Sequence, residues 1–332
     1  MSSHHRLKLT LKRGALVAAA NWPVTLIQTT GDSLFKLLIA APVIGGVFLV
    51  ALVVGAEPRE LLTAEWREMA TMIIAALRSH PVVLAAFLLA VAVVAIGGSL
   101  FVFLIKGGTV AVLVRAERET GPIEQPPLHI SKVATAAQFS TGFYVESARD
   151  LFPRYTRLGL TLMAVYLASA AAYLVFVLTS RFAGQGWGIT AIVTAAFVAW
   201  ITIVNLLYLL VQIVIAADNC SVASAVPRVA AFLRYERRSV AAVFLIVLAL
   251  VIVATGASFL ATAALGLIAF VPFVGLAVLP LQLLAWVLRG VVFQYIGVTS
   301  IGAYLNLYLA SADRAVRPAS TGVVEPLIGN AG

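Results

Sequence analysis

Long runs without a single charged residue dominate the hydrophobic pattern of this chain. Residues 37–56, 81–105, 158–180, 182–217 and 239–288 hold 20, 25, 23, 36 and 50 consecutive positions free of Asp, Glu, Lys and Arg. A helix rises ~1.5 Å per residue and needs roughly 20 apolar residues to cross a ~30 Å hydrocarbon layer. Each run therefore predicts a spanning helix, and the last is long enough for two. A turn around Phe270, Val271 and Pro272 divides it, because proline breaks the hydrogen-bond ladder. The strands of a membrane barrel would alternate apolar and polar residues over ~10 positions, and these runs do not alternate. The expected fold is an all-α polytopic transmembrane bundle of about six spans.

A further uncharged run, 290–312, is more polar, with Gln294, Tyr295, Thr299, Ser300, Tyr304, Asn306 and Tyr308. It suits a half-wet extension of the sixth helix, with a seventh span as the alternative.

Between the runs lie segments of mixed character. Residues 7–30, 130–155 and 221–237 each precede a pair of spans, combine apolar with basic positions, and carry Pro23, Pro153 and Pro227. Such segments are expected to lie in the membrane interface with their cations toward headgroups. Their recurrence suggests a threefold repeat of an interfacial helix plus a hairpin, at about 14–114, 130–218 and 221–310, within one transmembrane domain, 1–312. Segment 57–80, with Glu57, Arg59, Glu60, Glu65, Arg67 and Glu68 against Leu61, Leu62, Ile73 and Ile74, reads as a fourth interfacial helix, on the outer side. Residues 115–128 read as a cytoplasmic linker, and 313–332 as a disordered cytoplasmic tail. The start of the chain, with too short an apolar core for a signal peptide, reads as an uncleaved amphipathic helix.

Composition excludes a water-soluble body. The 332 residues are 62% hydrophobic and 11% charged, against ~45–50% and ~25% in soluble domains. Charge adds orientation: 18 of the 23 Lys and Arg fall in the termini and alternate loops, and four fall in the segments between. The positive-inside rule then places both termini in the cytoplasm, in the cell (inner) membrane. The net charge of +9 sits at membrane edges, which points to anionic headgroups as partners and away from nucleic acid.

Chemistry-bearing constellations are sparse. His4, His5, His80 and His129 lack metal-ligand spacing, Ser258 lacks the second glycine of a nucleophile elbow, and no phosphate-binding loop occurs. No cofactor and no enzymatic activity are expected. The paired Gly107 and Gly108 let helices approach closely or hinge. Asn205, Gln212 and Gln282 are the polar residues of the spans, and Asp218 stands near an inner boundary where it can pair with Lys106 or Arg289. No acid is expected deep within a span, which argues against proton-coupled transport. Lys106, Gln212 and Arg289 fall at comparable depth in the three repeats, near the cytoplasmic end. Snorkelling explains Arg289; the functional reading makes the three a polar level for an anionic headgroup or substrate.

From Ser221 to Tyr308 the chain resembles the membrane domain found beside glycerophosphodiester phosphodiesterases. A segment with Ala225, Arg228, Phe232, Arg234 and Arg238 precedes a hairpin turning at Phe273, Val274 and Gly275, then an exit from Tyr295 to Tyr304. The catalytic domain is absent, so the resemblance implies only a six-helix membrane module. The expected function is a noncatalytic membrane protein that organises lipid or a membrane complex, with a transporter or permease subunit for an anionic or lipid-like substrate as the alternative.

Overall fold

The apolar runs form helices, and the helices outrun the runs. The computed structural model describes residues 3–54, 80–125, 130–182, 187–269 and 274–316. They form α1 (Ser3–Ala20), α2 (Trp22–Val54), α3 (Pro81–Glu119), α4 (Ile130–Ala134), α5 (Thr141–Phe182), α6 (Trp187–Asp218), α7 (Val222–Ala269) and α8 (Val274–Val316), with no strand among the described residues. Five stretches, Ala85–Glu119, Thr141–Thr179, Gly188–Asp218, Val222–Ile268 and Pro280–Ala312, are long and apolar enough to cross a membrane. α2 is a sixth long helix, free of charged residues from Leu37 to its end. The chain is an all-α, multi-pass bundle of membrane character.

A helix of 39 to 48 residues, as α3, α5, α7 and α8 are, is ~60–70 Å long and exceeds the bilayer. The excess lies at one end, where the helices converge on a shared core. That core holds Val17 and Ala18 of α1, Leu113 and Ala116 of α3, Tyr155 of α5, Ile213 and Ile215 of α6, Phe232 of α7, and Tyr304 and Leu305 of α8. We call this end the base. Beyond it, Leu89, Val93, Leu174, Val175, Ile192, Val198, Val253 and Leu260 present bare aliphatic surface, as lipid-facing helices do.

The segments expected to lie in the interface are built into the base. Residues 141–155 are the first turns of α5, and 222–237 are the first turns of α7. Tyr144, Ala148 and Leu151, like Ala225, Val229 and Phe232, are buried. An amphipathic stripe satisfied by neighbouring helices has the same periodicity as one satisfied by lipid, so these segments present one face to the base and keep the other exposed, as at Val226 and Tyr235. α7 bends at Glu236, whose φ of −109° and ψ of 21° depart from helical values. α8 runs unbroken through 290–312, so this stretch extends the sixth long helix; its polar side chains pack in the base, with Ser300, Tyr304 and Tyr308 buried.

α1 also packs one face into the base. It runs antiparallel to the end of α8, and the two backbones meet at Gly14 and Gly302. A Cβ on Gly14 would fall 2.7 Å from the Thr299 carbonyl oxygen and 2.8 Å from the Ala303 nitrogen. Arg13, 8% exposed, then crosses to the end of α3. Its Nε bonds Glu117 Oε1 at 2.5 Å, one terminal nitrogen reaches Glu124 and the Gly121 carbonyl at 3.0 Å, and the other donates to the Thr120 carbonyl at 2.9 Å. The guanidinium thus satisfies carbonyls that a helix end leaves without partners, and Asn306 of α8 donates to the same Glu117 oxygen at 2.7 Å. The expected linker is therefore docked where it is described: α3 continues to Glu119, Ile123 is buried, and Lys12 donates to the Glu124 carbonyl at 2.8 Å. Asn21, fully buried at the α1–α2 break, donates to the Ala136 carbonyl at 2.8 Å and accepts from the Gln138 amide at 3.0 Å.

Gly107 and Gly108 are packing positions within a continuous helix. A Cβ on Gly108 would lie 2.7 Å from Tyr144 Cζ, and the Tyr144 hydroxyl donates to the Ile105 carbonyl at 2.8 Å. Nearly all of segment 57–80, the turn at 270–272 and nearly all of the expected tail lie outside the described residues.

Candidate functional site: a polar cavity and a lipid-facing groove

Where the base meets the lipid-facing half, α2, α3 and α8 line a partly open cavity of about 300 Å³. α2 places Gln28 and Asp32 one turn apart on its inner side, with Phe35 following; α3 supplies Ser99, Phe103 and Lys106; α8 supplies Gln294. Gln28 is buried, and Lys106, Asp32 and Gln294 are partly buried. The Lys106 ammonium stands 5.3 Å from the centre of the Tyr208 ring, a cation–π distance. Asp32 also pairs with Lys36, one turn further along α2, at 2.6 Å. Close packing frames the cavity. Gly31 receives the end of Ile105, which a Cβ would meet at 2.3 Å, and Gly290 faces the Thr29 methyl group. A side chain at Gly31 would have to push the Ile105 end group aside, whereas Gly290 meets Thr29 at ordinary contact distance.

A second opening, about 480 Å³, lies between α7 and α8. Its walls are mainly apolar, from Ala254, Ala257, Leu265 and Trp286; Ser258, Thr262, Gln282 and Arg289 bring the polar groups. Arg289 is exposed, with its guanidinium carbon 5.7 Å from the Phe293 ring centre. Its neighbours Leu284 and Leu288 are about 60% exposed, at 61% and 59%. A cation is therefore held on an otherwise aliphatic, lipid-facing surface.

The three residues singled out by depth occupy three environments. Lys106 lines the cavity and Arg289 the groove. Gln212 is 1% exposed inside the base; its carbonyl accepts from the Tyr155 hydroxyl at 2.9 Å, and its Nε2 meets no hydrogen-bond partner among the described residues. Asp218 pairs with neither Lys106 nor Arg289. It takes Arg228 across the α6–α7 turn and the Tyr308 hydroxyl at 2.6 Å. Of the polar span residues, Asn205 accepts from the Tyr166 hydroxyl at 2.5 Å.

Asp32, Gln28 and Ser99 were not singled out by the sequence, and Gln294 stood out only as a polar residue of the 290–312 run. The signal was present in part, since Gln28 and Asp32 are four apart and share a helix face. Reading it required α2 to begin at Trp22, whereas the uncharged run begins only at Leu37. Asp32 is thus an acid within a long helix, just before its uncharged run begins.

Comparison of the chain with models of protein families, with curated proteins and with solved structures finds no match. The functional reading therefore rests on the residues themselves.

Proposed function

We propose that this chain is a noncatalytic integral membrane protein of the cell membrane that organises anionic lipid, its base and both termini lying on the cytoplasmic side. The supporting observation is Arg289 in the α7–α8 groove. An exposed guanidinium among aliphatic side chains has no use for lipid tails, but it complements a phosphate at the level where the groove can take an acyl chain. A snorkelling arginine needs no groove; here Trp286, Phe293, Ser258 and Thr262 shape one beside it.

Native mass spectrometry of the protein gently extracted from its own membrane tests this reading. Wild-type protein is expected to retain an anionic lipid, and Arg289→Leu to lose roughly tenfold in retention, on the scale of one headgroup contact at ~1 kcal/mol or somewhat more. Equal retention by the variant would remove the groove as the lipid site. A stoichiometric protein partner in the same spectra would shift the reading toward a membrane complex.

The polar cavity favours a second reading, a transporter or permease subunit for an anionic or lipid-like substrate. Polar groups at this depth are costly in a membrane and recur along substrate paths. Flux of a labelled anionic solute or lipid in proteoliposomes, abolished by Lys106→Gln, would support that reading over simple lipid organisation.

A further inference from the structure

The α2–α3–α8 cavity carries charges of both signs, and this limits what it can hold. Lys106 enters from α3 and Asp32 from α2, and Asp32 is close enough to act electrostatically on Lys106. Ser99, Gln28 and Gln294 add a hydroxyl and two carboxamides, each able to donate and accept. Phe35 and Phe103 add aromatic lining. The volume of about 300 Å³ is at the lower end of small-ligand sites, which run from ~300 Å³ upward. A purely anionic ligand would meet Lys106 but bring its charge against Asp32. A purely cationic one would meet Asp32 but be repelled by Lys106. The Asp32–Lys36 pair is partly exposed, with side-chain exposures of 37% and 64%, and such ion pairs exchange readily for another ammonium.

We propose that this cavity is a binding site for a small zwitterion that joins a primary ammonium to an oxoanion, the oxoanion set against Lys106 and the ammonium against Asp32. The chemistry is that of phosphoethanolamine, which can come from a lipid headgroup or from a free solute. The site is separate from the α7–α8 groove, on another face of α8, and does not depend on Arg289.

The full chain in nanodiscs holding equal amounts of phosphatidylethanolamine and phosphatidylglycerol provides the test, read by native mass spectrometry, which counts only folded particles. A parallel arm adds free phosphoethanolamine to the protein in nanodiscs of phosphatidylcholine and follows the thermal midpoint. Wild-type protein is expected to retain phosphatidylethanolamine in preference, or, if the source is a free solute, to gain thermal stability with phosphoethanolamine and not with glycerol phosphate. Asp32→Asn is expected to reverse the preference toward the purely anionic partner by about tenfold, the scale of one charge-assisted contact. Lys106→Gln is expected to lose both partners, with Lys106→Arg restoring them in part, and Arg289→Leu to leave the preference as it was. The proposal is overturned if wild type shows neither lipid preference nor stabilisation by phosphoethanolamine, or if Asp32→Asn keeps the wild-type preference.

Discussion

Arg13 shows what a single side chain does in the base. It is nearly buried and meets Glu117, Glu124 and three main-chain carbonyls at the end of α3. Removing one partner of such a cluster leaves the others desolvated, so Arg13→Met is expected to cost about 3–5 kcal/mol of stability. Arg13→Met with Glu117→Met should cost less than the single change, because no carboxylate is then stranded at that point. Reversible unfolding in mixed micelles measures both, and a double variant weaker than the single would show that Glu117 is stabilised without Arg13. Gly14 makes a different residue-scale prediction. Gly14→Ala places a methyl group against backbone atoms of α8, which have no side-chain freedom to give way, and should cost about 1–3 kcal/mol by the same assay. An unchanged midpoint would mean that α1 can shift off α8 freely. Neither role was legible in the sequence. Arg13 stands among other basic residues near the start of the chain, and its partners are more than 100 positions away.

Among the elements, the α5–α6 hairpin carries a ladder of polar pairs up its lipid-facing half. Tyr166 bonds Asn205 at 2.5 Å, Trp200 donates to Ser169 at 3.0 Å, and Tyr173 meets Thr194 at 2.8 Å while its ring stacks on Phe197 at 4.5 Å. Each step up α5 is matched by a step back along α6, as an antiparallel pair requires. Hydrogen bonds between membrane helices contribute ~0.6 kcal/mol on average and up to ~1.7. Asn205→Leu and Trp200→Phe are each expected to fall in that range and to add when combined, being more than a turn apart. Strong non-additivity in the unfolding data would show that the ladder acts as one unit. The spans themselves were legible because their lengths follow from bilayer thickness. Their inner ends were not: charge marks where a run stops, whereas α2, α5, α7 and α8 continue through charged residues by packing against one another.

At the scale of the molecule, the base gathers the long helices and the lipid-facing half leaves their aliphatic sides bare. Ser221 lies at the α6–α7 turn in the base and is exposed, and Cys220 is the one cysteine of the chain. With Cys220→Ala in place, Ser221→Cys is expected to react with a membrane-impermeant maleimide in inverted vesicles and to stay unlabelled in intact cells. Labelling from the outside would place the base, and both termini with it, on the other face.

Sequence alone determined the solvent of this protein, its helical class and the approximate positions of its spans, because hydrocarbon demands runs of apolar residues of a set length and leaves backbone no other way to bond. It also marked Lys106 and Arg289 as unusual, since a charge at the edge of such a run is costly wherever it points. Tertiary structure decided which of those charges meet. Asp32 reaches the Lys106 cavity, Arg289 opens to lipid, Gln212 is enclosed, and Asp218 turns to Arg228 and Tyr308. Those outcomes depend on helix rotation and on close approaches at Gly14 and Gly31. Periodicity records that a helix has a buried face; which neighbour buries it is set by packing between residues far apart in the chain.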